Sequence, residues 1–146
     1  MRMSATSAWL PWALASAVFA ALTAVFAKLG LEKVDSDFAT LLRTVVIVAV
    51  LGAFVVLADK WRNPMALPGR SVTFLVLSAL ATGASWVCYF RALKIGEASQ
   101  VAPVDKLSVV LVAIFAVIFL GERPGAREWL GIGMVAAGVL VLSIKR

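Results

Sequence analysis

The sequence predicts an all-α membrane protein with five transmembrane helices, on three observations. Hydrophobic residues make up 62% of the 146 residues, charged residues only 15%, and the mean hydropathy is +0.99, values far outside those of soluble domains. Five largely apolar stretches lie at 9–29, 38–58, 71–93, 100–120 and 128–143, each near the ~20 residues needed to cross a hydrocarbon core. The connections between them are short, which leaves no room for a soluble catalytic or nucleic-acid-binding domain.

The first stretch starts beside Trp9 and Trp12 and contains no acidic residue. Its Met1-Arg2 start and Ala15-Ser16-Ala17 imitate a signal peptide with a cleavage site. The apolar run nevertheless continues for a full span, which predicts an uncleaved membrane helix. Asp35-Ser36-Asp37 stands immediately before the second stretch, where short polar side chains cap helix N-termini, so capping is favoured over a cation site. Asn63-Pro64 and Pro68-Gly69 mark the turn into the third stretch, Ser99 is placed to cap the fourth, and Pro124-Gly125 precedes the fifth. Trp9, Trp12, Trp61 and Trp129 all fall at helix ends on one side of the predicted bilayer, as interfacial anchors do. The single cysteine, Cys88, allows no intramolecular disulfide and no metal-binding spacing. No metal or cofactor is expected.

Small residues at four-residue spacing let membrane helices approach closely. The first helix has Ala13, Ala17 and Ala21, with Ala20 and Ala24. The third has Ser78-Ala79 above Thr82-Gly83, and the fifth has Gly131, Gly133, Ala137 and Gly138. The last set suits a dimer interface and packing inside one subunit about equally.

The net charge of +6 belongs to residues that flank spans, so it reads as topology signals and lipid contacts rather than a nucleic-acid surface. With strict alternation of the spans, Arg2, Lys60, Arg62, Arg70, Arg123 and Arg127 fall on the N-terminal side, called side A. Lys28, Lys33, Arg91, Lys94, Lys145 and Arg146 fall on side B. Orientation is normally set by an excess of Lys and Arg on the cytoplasmic side. Six against six predicts insertion in both orientations.

Chemistry must lie in the polar groups at membrane depth, since an ionised group there costs on the order of 3 kcal/mol unless paired or hydrated. Arg43, Asp105 and Lys106 qualify. Arg43 and Asp105 each lie five residues past the start of a stretch entering from side B, roughly 7 to 8 Å deep, and are placed to meet. Pro103 adds a helix disturbance beside them that frees a carbonyl, although proline is also tolerated in a first turn and Lys106 has the length to snorkel. Ser85, Trp86, Tyr89 and Phe90 on the third stretch suit a cavity wall for a small amphipathic metabolite and core packing about equally well. The substrate and gate candidates are therefore Arg43, Asp105, Lys106, Pro103, Trp86, Tyr89 and Ser85, with no catalytic residue.

The segment from Ala27-Lys28 to Arg43, Tyr89-Phe90-Arg91-Ala92-Leu93-Lys94-Ile95-Gly96, Val101-Ala102-Pro103 and Leu120-Gly121-Glu122-Arg123 together resemble the EamA domain of the drug/metabolite transporter superfamily. The resemblance covers nearly the whole chain and implies one EamA-like domain over 1–146. Typical members carry two such five-helix domains in inverted orientation and export or exchange small metabolites. This chain is similar to the short five-helix bacterial and archaeal branch. A lone five-helix unit must take its inverted partner from another molecule, and undecided topology supplies one. The resemblance and the charge balance together predict an antiparallel homodimer in the cell (inner) membrane that works by alternating access.

The small multidrug antiporters of the same superfamily use a glutamate in their first helix, and none is present here. Two intramembrane cations against one anion predict an anionic or zwitterionic substrate, with proton coupling and facilitated exchange both open. The rival from another class is a non-transporting scaffold or accessory subunit. An enzyme lacks support, because the chain has no histidine, no phosphate-binding Gly-rich loop and no carboxylates paired at catalytic spacing.

Overall fold

A computed structural model describes residues 8–143. Arg2, Lys145 and Arg146 of the charge balance, and the Met1-Arg2 start of the signal-like segment, lie outside the described residues. Five helical stretches are long and apolar enough to cross a membrane: Leu10–Gly30, Ser36–Leu57, Gly69–Ile95, Ala98–Leu120 and Ala126–Ser143. The first three are α1, α2 and α3. The fourth divides into α4 (Ala98–Asp105), α5 (Ser108–Phe115) and a π-helical turn (Ala116–Leu120), and the fifth is α6. The chain is thus an all-α, multi-pass membrane protein.

The described residues form two compact units, one of them Phe26–Ile95. In that unit α2 and α3 run antiparallel, since the first turn of α2 meets the last turn of α3 through Asp37 and Arg91. Asp35 starts α2 as predicted: its Oδ1 accepts hydrogen bonds from the backbone N–H of Asp37 at 2.9 Å and of Phe38 at 3.0 Å, two donors that a helix leaves unpaired. The helix ends where Asp59 takes a left-handed φ of 53° and the Lys60 N–H returns to Val55 O at 2.9 Å, a Schellman-type closure. Asn63 Oδ1 accepts from Met65 N at 3.0 Å and shapes the 3₁₀ turn Pro64–Ala66 before α3. The core sits near the far end of α3, with Leu31 and Leu93 fully buried and Phe90 and Thr40 beside them in burial.

In the other unit the fourth span breaks. Pro103 lies inside α4, and beyond it the ladder tightens to three-residue bonds: Lys106 N to Pro103 O, Leu107 N to Val104 O and Val109 N to Lys106 O, each at 3.0 Å. Proline removes a backbone donor and crowds the turn before it, whereas the tightened turn follows it. Ser99 does not cap this helix. Glu97 occupies the N-cap position without a side-chain bond, and Ser99 falls inside the first turn. The span closes at Gly121, whose φ of 68° and ψ of 20° are left-handed, with the Glu122 N–H bonded to Ala116 O at 3.2 Å. A β-carbon at that φ costs roughly 1–2 kcal/mol, so Gly121→Ala is expected to lower the thermal midpoint in detergent by a few degrees, read by a melt of the purified protein. Glu128, three residues into α6, accepts the Gly125 N–H at 2.5 Å, one arm of a capping box.

Trp9, Trp12, Trp61 and Trp129 are exposed at the start of α1, the end of α2 and the start of α6, the placement expected of interfacial anchors. The glycines of the small-residue stripes meet no close neighbour among the described residues, while Ala24 of the first helix is buried. A β-carbon built at Gly83, Gly131, Gly133 or Gly138 would meet nothing within 4 Å.

Candidate functional site

The Tyr89-to-Gly96 segment folds into a clamp that joins three parts of its unit. Phe90 and Leu93 turn into the core, which leaves Arg91 and Lys94 to reach outward. Arg91 grips Asp37 with two bonds, Nε to Oδ1 at 2.9 Å and Nη2 to Oδ2 at 2.6 Å, the fork geometry that makes arginine–carboxylate pairs specific. Lys94 Nζ donates to the backbone carbonyls of Leu31, Glu32 and Val34, which ties the α1–α2 connection to the end of α3. Lys28 Nζ donates to Leu93 O at 2.8 Å, so α1 is held to the same place. Removing the Lys94 ammonium leaves these carbonyls without their donor, at about 1–3 kcal/mol for buried members of such a set. Lys94→Met is accordingly expected to destabilise the protein more than Lys33→Met, measured as the loss of thermal midpoint.

In the sequence Arg91, Lys94 and Lys28 look like topology charges and Asp37 like part of a cap, which conceals this clamp. A signal existed. Antiparallel neighbours place the first turn of one helix beside the last turn of the next, which pairs position 37 with position 91.

One helical level deeper, Arg43 lays its guanidinium over the Trp86 ring at 4.3 Å from the centroid and stands 5.2 Å from that of Phe90. Tyr89 packs edge-on against Phe90 at 6.4 Å. Arg43 Nη1 is buried and has no hydrogen-bond partner. Cation–π contact stabilises such a group by about 2 kcal/mol when it is desolvated, but it satisfies no N–H. A planar donor fork held flat against an indole, with one nitrogen unsatisfied, is prepared to receive an oxyanion.

Between α2 and α3 runs a groove of about 630 Å³ lined by Asp37, Thr40, Thr44, Ser78, Thr82 and Trp86 among apolar side chains. The predicted small-residue pattern on α3 therefore forms a groove wall. Its threonines direct their protons into their own helices, Thr40 to Ser36 O at 2.8 Å, Thr44 to Thr40 O at 2.7 Å and Thr82 to Ser78 O at 2.9 Å.

Asp105 and Lys106 belong to the other unit, where they pair with each other at 3.2 Å. Pro103 is half-buried just before them, and Ser85, on α3, is exposed. A second groove of about 730 Å³ lies between α5 and α6, with Glu122, Arg123 and Glu128 at one end and Gly131 on its wall. Gly133, Ala137 and Gly138 are exposed. Arg43, Trp86 and Tyr89 thus come together within one unit, and Pro103, Asp105 and Lys106 belong to the other.

Five apolar spans, one of them broken beside charged residues, are the architecture of a membrane transport protein. The EamA-like transporter family model matches residues 7–144, and the chain belongs to that family. It is 58% identical, over 95% of its length and 99% of the relative's, to the "Uncharacterized transporter in cobO 3'region" of Sinorhizobium sp. It is 28% identical, over 59% of its length and 76% of the relative's, to the probable 4-amino-4-deoxy-L-arabinose-phosphoundecaprenol flippase subunit ArnE of Yersinia pestis (strain Pestoides F), and equally to that of Yersinia pseudotuberculosis serotype O:1b. No solved structure matches the chain.

Proposed function

We infer that the protein is a secondary transporter, an exporter or exchanger of a small polar metabolite that is anionic or zwitterionic. The observation that carries this reading is Arg43, flat against Trp86 with Nη1 buried and unpartnered. An apolar substrate would leave that donor unsatisfied. A carboxylate or phosphate would complete it, and the surrounding low dielectric would strengthen the bond. Tyr89 and Ser85 stand on the same helix as candidate lining.

The second group, Asp105 with Lys106 beyond Pro103, serves as the counter-gate. Its carboxylate is already neutralised by its neighbour, and a broken span gives it the freedom to move. The whole chain, 1–146, acts as one EamA-type domain, and two copies in opposite orientations form the alternating-access unit in the cell (inner) membrane. Gly133, with open space at its β-carbon, and exposed Ala137 one turn on support one side of α6 as the face on which the copies meet, with Gly131 and Gly138 on the other side of the helix. The substrate named for the Yersinia relative carries both an amino group and a phosphate, which agrees with a zwitterionic head. Catalysis has no place in this scheme, and the relatives are named for transport.

Reconstitution tests it. Purified protein in liposomes, assayed for counterflow with a panel of radiolabelled carboxylates, phosphates and amino acids, is expected to move at least one of them and to lose that flux in Arg43→Ala. Absence of flux for every compound would favour the scaffold reading, and flux unchanged in both Arg43→Ala and Asp105→Asn would remove the site assignment.

A further inference from the structure

Asp37 holds two positions at once: it lines the end of the α2–α3 groove, and it occupies the fork of Arg91 through both carboxylate oxygens. Neither partner is shut away, with side chains 62% and 48% exposed for Arg91 and Asp37. A bidentate carboxylate on a half-exposed arginine is also the arrangement that an arriving carboxylate or phosphate would make. Asp37 is therefore chemically equivalent to the substrate inferred above.

Along α2, Arg43 lies six residues beyond Asp37, about 9 Å at 1.5 Å per residue. On α3, Trp86 lies five residues before Arg91, about 7.5 Å by the same rise. The two arginine sites thus sit at successive levels of one helix pair, the outer one occupied by an internal carboxylate and the inner one with a free donor. The other cations near the outer end are committed to backbone carbonyls, Lys94 to three and Lys28 to Leu93. Arg91 is paired there with a carboxylate, that of Asp37.

We propose that Arg91, behind Asp37 at the groove's end, is an anion-capture residue, and that Asp37 is its built-in competitor, displaced when the substrate's oxyanion arrives from the groove before it passes to Arg43 on the Trp86 ring. The proposal rests on the anionic-substrate reading and adds an entry station to it. Asp37 keeps Arg91 oriented while the groove is empty, and it limits how tightly an anion is held at the outer level, so that the anion passes on.

The test measures protection of the purified full-length protein against thermal unfolding by inorganic phosphate, succinate and L-aspartate. Each is titrated against chloride at constant ionic strength. Asp37→Asn leaves the fork without its competitor and is expected to lower the half-saturating concentration of the best anion about tenfold. Arg91→Gln is expected to raise it about tenfold. The exchanged pair Asp37→Arg with Arg91→Asp restores an ion pair, so it should recover the melting temperature lost in Arg91→Gln without recovering anion affinity. A merely structural pair predicts the opposite: Asp37→Asn would leave the half-saturating concentration unchanged, or the exchanged pair would restore both stability and affinity. Either result overturns the proposal. If Arg43→Ala abolishes protection while Asp37→Asn and Arg91→Gln leave affinity at the wild-type value, the capture role falls and the anionic reading stands. If none of the three anions protects the wild type, both fall.

Discussion

Arg43→Ala is expected to reduce transport at sub-saturating substrate at least ~30-fold, as a loss of substrate affinity. Truncating a buried, charge-assisted partner typically costs 2–5 kcal/mol, and 2 kcal/mol corresponds to about 30-fold. Two features of the site direct this loss to substrate binding rather than to folding. The guanidinium makes no hydrogen bond through Nη1 in the unliganded chain, so its removal leaves no orphaned partner there. Its main contact, the Trp86 face at 4.3 Å, is apolar and tolerates an apolar neighbour. Arg43→Lys keeps the charge but neither the planar fork nor the stacking, and should fall between wild type and alanine. Trp86→Phe, which keeps a smaller aromatic face, should lose less than Trp86→Ala. Counterflow with the same labelled anion, at equal protein per lipid, orders these variants. Equal flux in Arg43→Lys and wild type would mean that only charge matters at this position.

The architecture was legible from composition and hydrophobic run length, because a bilayer demands long apolar helices whatever their packing. Helix starts and stops were legible where local chemistry sets them. Asp35, with its side-chain cap, and Asn63 followed the expected rules. Ser99 failed because a serine marks a cap only where the chain outside the helix is extended, and here Glu97 holds that extended position. The clamp was hidden for a different reason. Arg91, Lys94 and Lys28 find their partners through tertiary contact across more than fifty residues, and charges beside a membrane span look the same whether they face lipid headgroups or a neighbouring loop. The resemblance had marked the Tyr89-to-Gly96 segment as distinctive, and the fold supplies the physical cause: buried Phe90 and Leu93 alternate with two cations that brace the loop and the first turn of α2. Arg43 stands out in the sequence by its depth alone, and the structure lays it on Trp86 with Nη1 unpartnered. Its aromatic bed was half-legible, since Trp86 and Phe90 lie one turn apart, but their facing Arg43 required the antiparallel register of α2 and α3.

The charge balance carries the other large expected effect. On the proposed reading, six basic residues on side A and six on side B leave orientation undecided, and an oppositely inserted copy supplies the inverted partner of a unit with an odd number of spans. Lys60→Gln with Arg62→Gln leaves four on side A against six on side B. Lys33→Gln with Arg146→Gln leaves six against four. Lys60, Arg62 and Lys33 make no ion pair among the described residues, so these changes alter orientation without disturbing the clamp or the Arg43 site. Each variant alone is expected to insert one way and to lose nearly all flux in cells, because no antiparallel partner forms. Co-expression of the two should restore it. Orientation is read by paired C-terminal reporters, one active only in the cytoplasm and one only outside it. Wild type should score on both and each variant on one. Full flux in either variant expressed alone, with its orientation fixed, would require a parallel dimer or a working monomer. Alternating access would then have to arise within five helices, without the inverted repeat that exchanges the shapes of the two halves.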